Sequence, residues 1–166
     1  MVIERIRSFA AIVLALLLAG CGPEPPQLQP GAPAPPFRLP TLGGQALDFP
    51  ADLKGQIVAL RFWADWCPFC ETEMRDLEPV YLKHRNQGLR ILAVNVRQDR
   101  ATAERFIARL GVSYEVLLDG DGVTARSYGV IGLPTTFFVD REGRLGARIL
   151  GESTPEIIER VLRDLL

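Results

Sequence analysis

Two cysteines, Cys67 and Cys70, lie two residues apart in the stretch RFWADWCPFCETEM, residues 61–74. A pair at this spacing can form half of a zinc site, close a small structural disulfide, or cycle between dithiol and disulfide. Structural zinc needs four ligands, from a second such pair or from histidines. The chain offers one histidine, His84, which reads as a solvated residue at the polar end of the following helix. A structural disulfide across so short a loop removes little entropy from the unfolded chain and stabilises weakly. Placement favours the redox use. The pair follows an apolar, strand-like run and opens a helical one, which puts Cys67 at a helix N-terminus. Unpaired N–H groups and the helix dipole favour an anion there. A thiolate is such an anion, and a thiol pKa of ~8.5 falls to ~3.5–7.5 in settings of this kind. Cys70, about one turn inside, is expected to be the more buried.

The elements that must position this pair follow from periodicity and turn residues. FRLPTLGGQALDF (37–49) holds Gly43-Gly44 between two short alternating pieces, a hairpin pattern. QIVALRFWA (56–64) is apolar almost throughout, as for a strand buried on both faces. Residues 68–86 carry Met74, Leu77 and Tyr81 at helical spacing, with Pro79 expected to bend the helix. A buried strand (89–96), a helix (100–111) stopped by Gly111, a short strand (114–119) and a brief helix (122–130) come next. TTFFVD (135–140) and LGARILG (145–151) flank a tight antiparallel turn. The last helix begins with Thr154 as N-cap candidate and Pro155 at its first position. Strand–helix–strand units imply parallel pairing with right-handed crossovers, and the late hairpin adds antiparallel strands.

FWADWCPFC resembles the active-site segment of the thioredoxin superfamily, and GLPTTFFVDREG resembles its proline-bearing strand facing the disulfide. With GQIVALRFWA, the leading hairpin and the N-terminal signal described below, residues 37–166 are similar to the TlpA/ResA-like membrane-tethered thiol–disulfide oxidoreductases. The resemblance implies an α/β thioredoxin fold: a central mixed β-sheet flanked by helices, with an added N-terminal β-hairpin. It implies an enzyme whose only redox group is the Cys67–Cys70 disulfide, with no further cofactor and no metal. Cys67 would be the nucleophile and Cys70 the resolving thiol, exchanging with cysteines or disulfides of client proteins. Trp66, Pro68, Phe69, Leu133 and Pro134 would form the client-binding surface, with Pro134 cis and the backbone of Leu133 exposed for strand-like pairing. A reductase would draw electrons from a membrane thiol-electron transporter.

Three positions depart from the family pattern. Thioredoxins carry a buried acid six residues before the first cysteine, where this chain has Arg61. A cation there would favour the Cys67 thiolate, unless Arg61 snorkels to the surface. After VNV (94–96), Gln98 and Asp99 occupy the region where some cytochrome-maturation relatives place an acid. Arg75 stands where many relatives have a helix-kinking proline, and Pro79 would move the kink one turn on. Peroxiredoxins share the fold, but their proline and threonine seven and three residues before the reactive cysteine are replaced by Leu60 and Ala64. Thiol peroxidase, and a non-enzymatic tethered binding domain with structural cysteines, are the alternative readings. Trp63 is expected in the core.

The N-terminus places the chemistry in a compartment. Arg5 and Arg7 precede the apolar run FAAIVLALLLAG, which ends in Leu18-Ala19-Gly20-Cys21, the pattern of a lipoprotein signal peptide. Residues 1–20 would be removed and Cys21 lipidated, which leaves no odd thiol. Eight of the 13 prolines lie between residues 22 and 40, so residues 21–36 read as a semi-rigid linker to a domain at 37–166. The expected location is extracytoplasmic, on the periplasmic or cell-envelope side, anchored by lipid, where disulfides persist. The formal net charge of the 166-residue chain is −1, and loss of residues 1–20 makes it one unit more negative, which gives no basic footprint for nucleic acid. One domain of ordinary size and a monomer are expected.

Overall fold

One strand, buried on both faces, organises the molecule. The structure, a computed structural model, describes residues 28–166. The signal-peptide residues, the lipidation candidate Cys21 and the first part of the proline-rich segment lie outside the described residues. Strand β3 (Ile57–Trp63) is buried at every position. Because successive side chains point to opposite faces, Ile57, Ala59 and Trp63 enter one apolar cluster and Val58, Leu60 and Phe62 the other. β3 is therefore central, as its apolar run, interrupted only by Arg61, requires.

The main sheet has five strands in the order β5-β4-β3-β6-β7. β4 (Leu89–Val96) pairs parallel to β3, and β5 (Glu115–Asp119) parallel to β4. β6 (Thr135–Val139) runs antiparallel to β3, and β7 (Leu145–Leu150) antiparallel to β6. Strands β1 (Phe37–Pro40) and β2 (Ala46–Phe49) form a separate antiparallel sheet. Its turn is closed by the Thr41 N–H on the Gln45 carbonyl at 2.7 Å, with Gly44 at φ 88°. The expected thioredoxin-type fold with an N-terminal hairpin is thus the fold observed.

Among the described residues, three α-helices join these strands, α1 (Cys70–His84), α2 (Arg100–Leu110) and α3 (Val123–Ser127), and a fourth, α4 (Pro155–Arg163), follows β7. The cluster that holds Trp63 also holds Met74, Leu77 and Val80 of α1, Phe106 of α2, and Ile158 and Leu162 of α4. Trp63 stacks on Phe106 with centroids 4.7 Å apart. α1 runs unbroken through Pro79 to His84.

Two local readings differ from the sequence expectation. α1 starts at Cys70 rather than 68, because Pro68 and Phe69 form a turn in which the Cys70 N–H bonds the Cys67 carbonyl at 3.2 Å. His84 is buried, not solvated. Its Nδ1 lies 3.2 Å from Gln87 Oε1 and its Nε2 3.5 Å from Glu159 Oε1, so it fills the seam between α1 and α4.

Residues 31–35, read as linker, lie against the domain. The Gly31 and Ala34 N–H groups bond the Leu145 and Gly143 carbonyls, and the Leu145 N–H bonds the Ala32 carbonyl. Tyr128 donates its hydroxyl to the Pro35 carbonyl at 2.8 Å.

Candidate functional site: a disulfide at the C-terminal end of the central strand

The chain leaves β3 at Trp63, turns through Ala64–Phe69 and enters α1 at Cys70. Cys67 and Cys70 are joined in a disulfide, S–S 2.10 Å and Cα–Cα 5.4 Å. Cys67 lies in the turn ahead of the helix and Cys70 is its first residue, so the bridge spans the strand–helix junction. Both are buried, at 2% and 0% exposure, so accessibility alone does not separate their roles. Trp66 and Phe69, by contrast, stand out at 69% and 48%. Pro68, between them, is also exposed.

A side-chain network holds this turn to the neighbouring strand. Gln98, just past β4, accepts the Asp65 N–H at 2.9 Å and donates to the Asp65 carboxylate. Asn95 of β4 donates to the same Gln98 oxygen at 2.8 Å. Gln98 therefore positions the turn two residues ahead of Cys67. Asp99 beside it caps α2, accepting the Thr102 N–H at 2.7 Å, and that bond holds its carboxyl below the usual aspartate range.

The proline-bearing loop lies at the same end of the sheet. Phe62 is paired with Thr135, so Pro134 falls just beyond the last β3–β6 pair. The Leu133–Pro134 bond is cis, as is Phe49–Pro50 at the opposite end. The Pro134 carbonyl accepts the Gly151 N–H at 2.9 Å. Among the described residues, neither the N–H nor the C=O of Leu133 bonds another backbone group.

Arg61 does not snorkel. It points to the helix-covered face of β3 with 0% exposure. Its Nη2 contacts Glu73 Oε2 at 2.5 Å, and its Nη1 donates to Thr136 Oγ1 at 3.0 Å. Glu73 Oε2 also accepts the Ser153 hydroxyl at 2.9 Å. The Arg61 charge is thus compensated by a carboxylate, which weakens any field it exerts at Cys67. Sequence reasoning missed Glu73, although the signal was present. Cys70, Met74 and Leu77 mark the inward face of α1 at i, i+4 and i+7, and Glu73 at i+3 falls within that stripe. An acid there requires a buried cation, and β3 supplies Arg61.

Two grooves flank the disulfide. One is lined by Trp66, Val96, Arg97, Arg126 and Leu133, the other by Pro68, Phe69, Glu73, Asp76 and Glu152. Among the described residues, no three His, Cys, Asp or Glu side chains converge as metal ligands. Chemically, the arrangement offers a two-electron dithiol–disulfide couple between exposed apolar side chains and an unpaired backbone segment.

Comparison with known proteins agrees with this geometry. The AhpC/TSA family profile matches residues 30–148. The thiol-disulfide oxidoreductase ResA of Geobacillus thermodenitrificans is 35% identical over 162 residues, covering 93% of this chain and 92% of that protein. The crystal structure of a protein assigned as the thiol:disulfide interchange protein DsbE from Chlorobium tepidum superposes with a TM-score of 0.79 at 30% identity, covering 84% and 99% of the two chains. StoA from Bacillus subtilis superposes with a TM-score of 0.68 at 27% identity, covering 80% and 99%.

Proposed function

Because the chain belongs to the AhpC/TSA family and, within it, to the ResA-like thiol–disulfide oxidoreductases, we propose that it reduces client disulfides with Cys67 and Cys70 outside the cytoplasm. The Cys67 thiolate attacks one client sulfur, forming a mixed disulfide and releasing the other client sulfur as a thiol. The Cys70 thiolate then attacks Cys67, which frees the second client thiol and restores the internal disulfide. Two electrons pass from the pair to the client, and no further cofactor takes part. A membrane thiol-electron transporter returns the pair to the dithiol. The protein acts as a monomer, held to the membrane by lipid on Cys21. Among the described residues, no helix is long and apolar enough to cross a membrane.

The observation that carries this reading is the Cys67–Cys70 bridge at a strand–helix junction, set beside the unpaired backbone of Leu133. Cys67 is the attacking group by position, in the turn ahead of the helix, whereas Cys70 is the first residue of the helix itself. Trp66, Pro68, Phe69, Leu133 and Pro134 form the client-binding surface, with Leu133 pairing to an extended client segment. Cys70→Ala should accumulate client proteins as lasting mixed disulfides on Cys67, and Cys67→Ala should accumulate few. Equal trapping by both variants would overturn the assigned order. Acid quenching and alkylation in cells reads the direction: a reductase keeps the pair largely as dithiol.

A second reading, thiol peroxidase, is favoured by the AhpC/TSA match itself. Leu60 and Ala64 supply neither the ring nor the hydroxyl that shapes a peroxide site in peroxiredoxins. Hydrogen peroxide should therefore oxidise the reduced protein no faster than an ordinary thiol. Peroxidase-like rates would replace the reductase assignment.

A further inference from the structure

The groove on the Cys67 side has a composition that the exchange chemistry does not require. It encloses about 400 Å³. Val96, Ala125, Val130 and Leu133 make its apolar wall, and Trp66 and Ile131 stand at its edge with 69% and 76% exposure. Among the described residues, Arg97 and Arg126 are its only charged lining residues. Both are exposed, and among the described residues neither has a carboxylate within ion-pair distance. Arg126 Nη1 donates only to the Asp121 carbonyl, at 2.9 Å.

The backbone holds Arg97 in place. Its φ is 55°, the left-handed region, which is uncommon for a residue with a side chain. Its N–H bonds the Asp119 carbonyl at 3.0 Å. Its side chain lies over Gly122, where an added Cβ would come within 2.5 Å of Arg97 Nε. Glycine at 122 thus leaves the notch that the arginine occupies. The opposite groove carries the carboxylates of Asp76 and Glu152, beside Glu73, whose charge Arg61 compensates. Charge is therefore polarised across the disulfide, on a chain whose formal net charge is only −1.

We propose that the Arg97–Arg126 groove selects client segments that place an acidic side chain, with an apolar neighbour, within a few residues of the reacting cysteine. This rests on the exchange reading above and gives it a substrate class. A carboxylate entering from the Cys67 side meets two uncompensated guanidinium groups, while a cationic residue there is repelled. Complementarity of this kind acts mainly on encounter rate and register, and it is screened by salt.

Single-turnover reduction by the pre-reduced protein tests the proposal. The probes are disulfide-bridged peptides that differ only in carrying Glu, Gln or Lys two residues from the cysteine, on either side. At about 20 mM salt the best Glu peptide should react roughly tenfold faster than its Lys counterpart, and the ratio should fall towards one at about 0.5 M salt. Arg97→Glu/Arg126→Glu should invert the preference, a gain that misfolding cannot mimic. A charge-blind protein, or a double variant that keeps the Glu preference, overturns the groove assignment while exchange stands. If no peptide reacts, the exchange reading fails and this proposal fails with it.

Discussion

At the scale of the residue, the Arg61–Glu73 pair has consequences for stability as well as for the site. Both groups are buried, and each leaves one polar atom, Arg61 Nε and Glu73 Oε1, without a partner among the described residues. A buried pair gains little net stability from being formed, but breaking it leaves an uncompensated charge, at about 3–5 kcal/mol. Arg61→Leu and Glu73→Leu should each lower the unfolding free energy by about that amount. The double variant should lose far less than the two together. Urea titration of all four proteins checks this, and additive losses would show that the two groups are not coupled. Arg61 itself was legible as a departure from the family pattern. Its compensation was not, because it depends on which face of α1 meets which face of β3.

At the scale of the element, the short helix α3 depends on a carboxylate outside it. Asp119, the last residue of β5, is fully buried and accepts the Thr124 and Ala125 N–H groups at 3.1 and 2.8 Å. Burial pushes its pKa above the ordinary 3.8, against the lowering effect of those two bonds. The folded state then holds this proton more tightly than the unfolded chain. Stability from this group is full below the unfolded pKa and declines as pH rises from about 4 through the folded pKa. Asp119→Asn should flatten that part of the stability-versus-pH curve, and an unchanged slope would remove Asp119 as its source. α2 is held by packing instead. Phe106→Ala removes the ring stacked on Trp63 and should cost about 3–5 kcal/mol, readable as a lower denaturation midpoint with the slope unchanged. Element identities were readable because β3 is apolar at every position but Arg61 and the helices keep their spacing. Boundaries were less so. The turn at Pro68–Phe69 delays α1, and the burial of His84 depends on Glu159, 75 residues on and invisible to local pattern.

At the scale of the whole molecule, the proline-rich stretch was the part least legible in sequence. Proline lacks an N–H but keeps its carbonyl, and Gly31, Ala32 and Ala34 interleave the missing donors. Residues 31–35 can therefore bond β7 and its turn while reading as a spacer. A chain beginning at Phe37 should melt about 5 °C or more below one beginning at Leu28, and equal melting temperatures would make the docking incidental. The same contacts set a direction. Leu145, where Gly31 docks, opens β7 at the end of the sheet remote from the disulfide, since Val139 pairs with Val58 and Leu145 with Val139. Some 20 Å of β3 separates the two poles, at about 3.3 Å per residue. Moored at its stern in this way, the domain carries its disulfide at the bow. If lipid on Cys21 is the mooring, the outward-facing disulfide favours clients arriving from the open compartment. Under the same anchoring, a donor in that bilayer would reach the disulfide only once the hull came about.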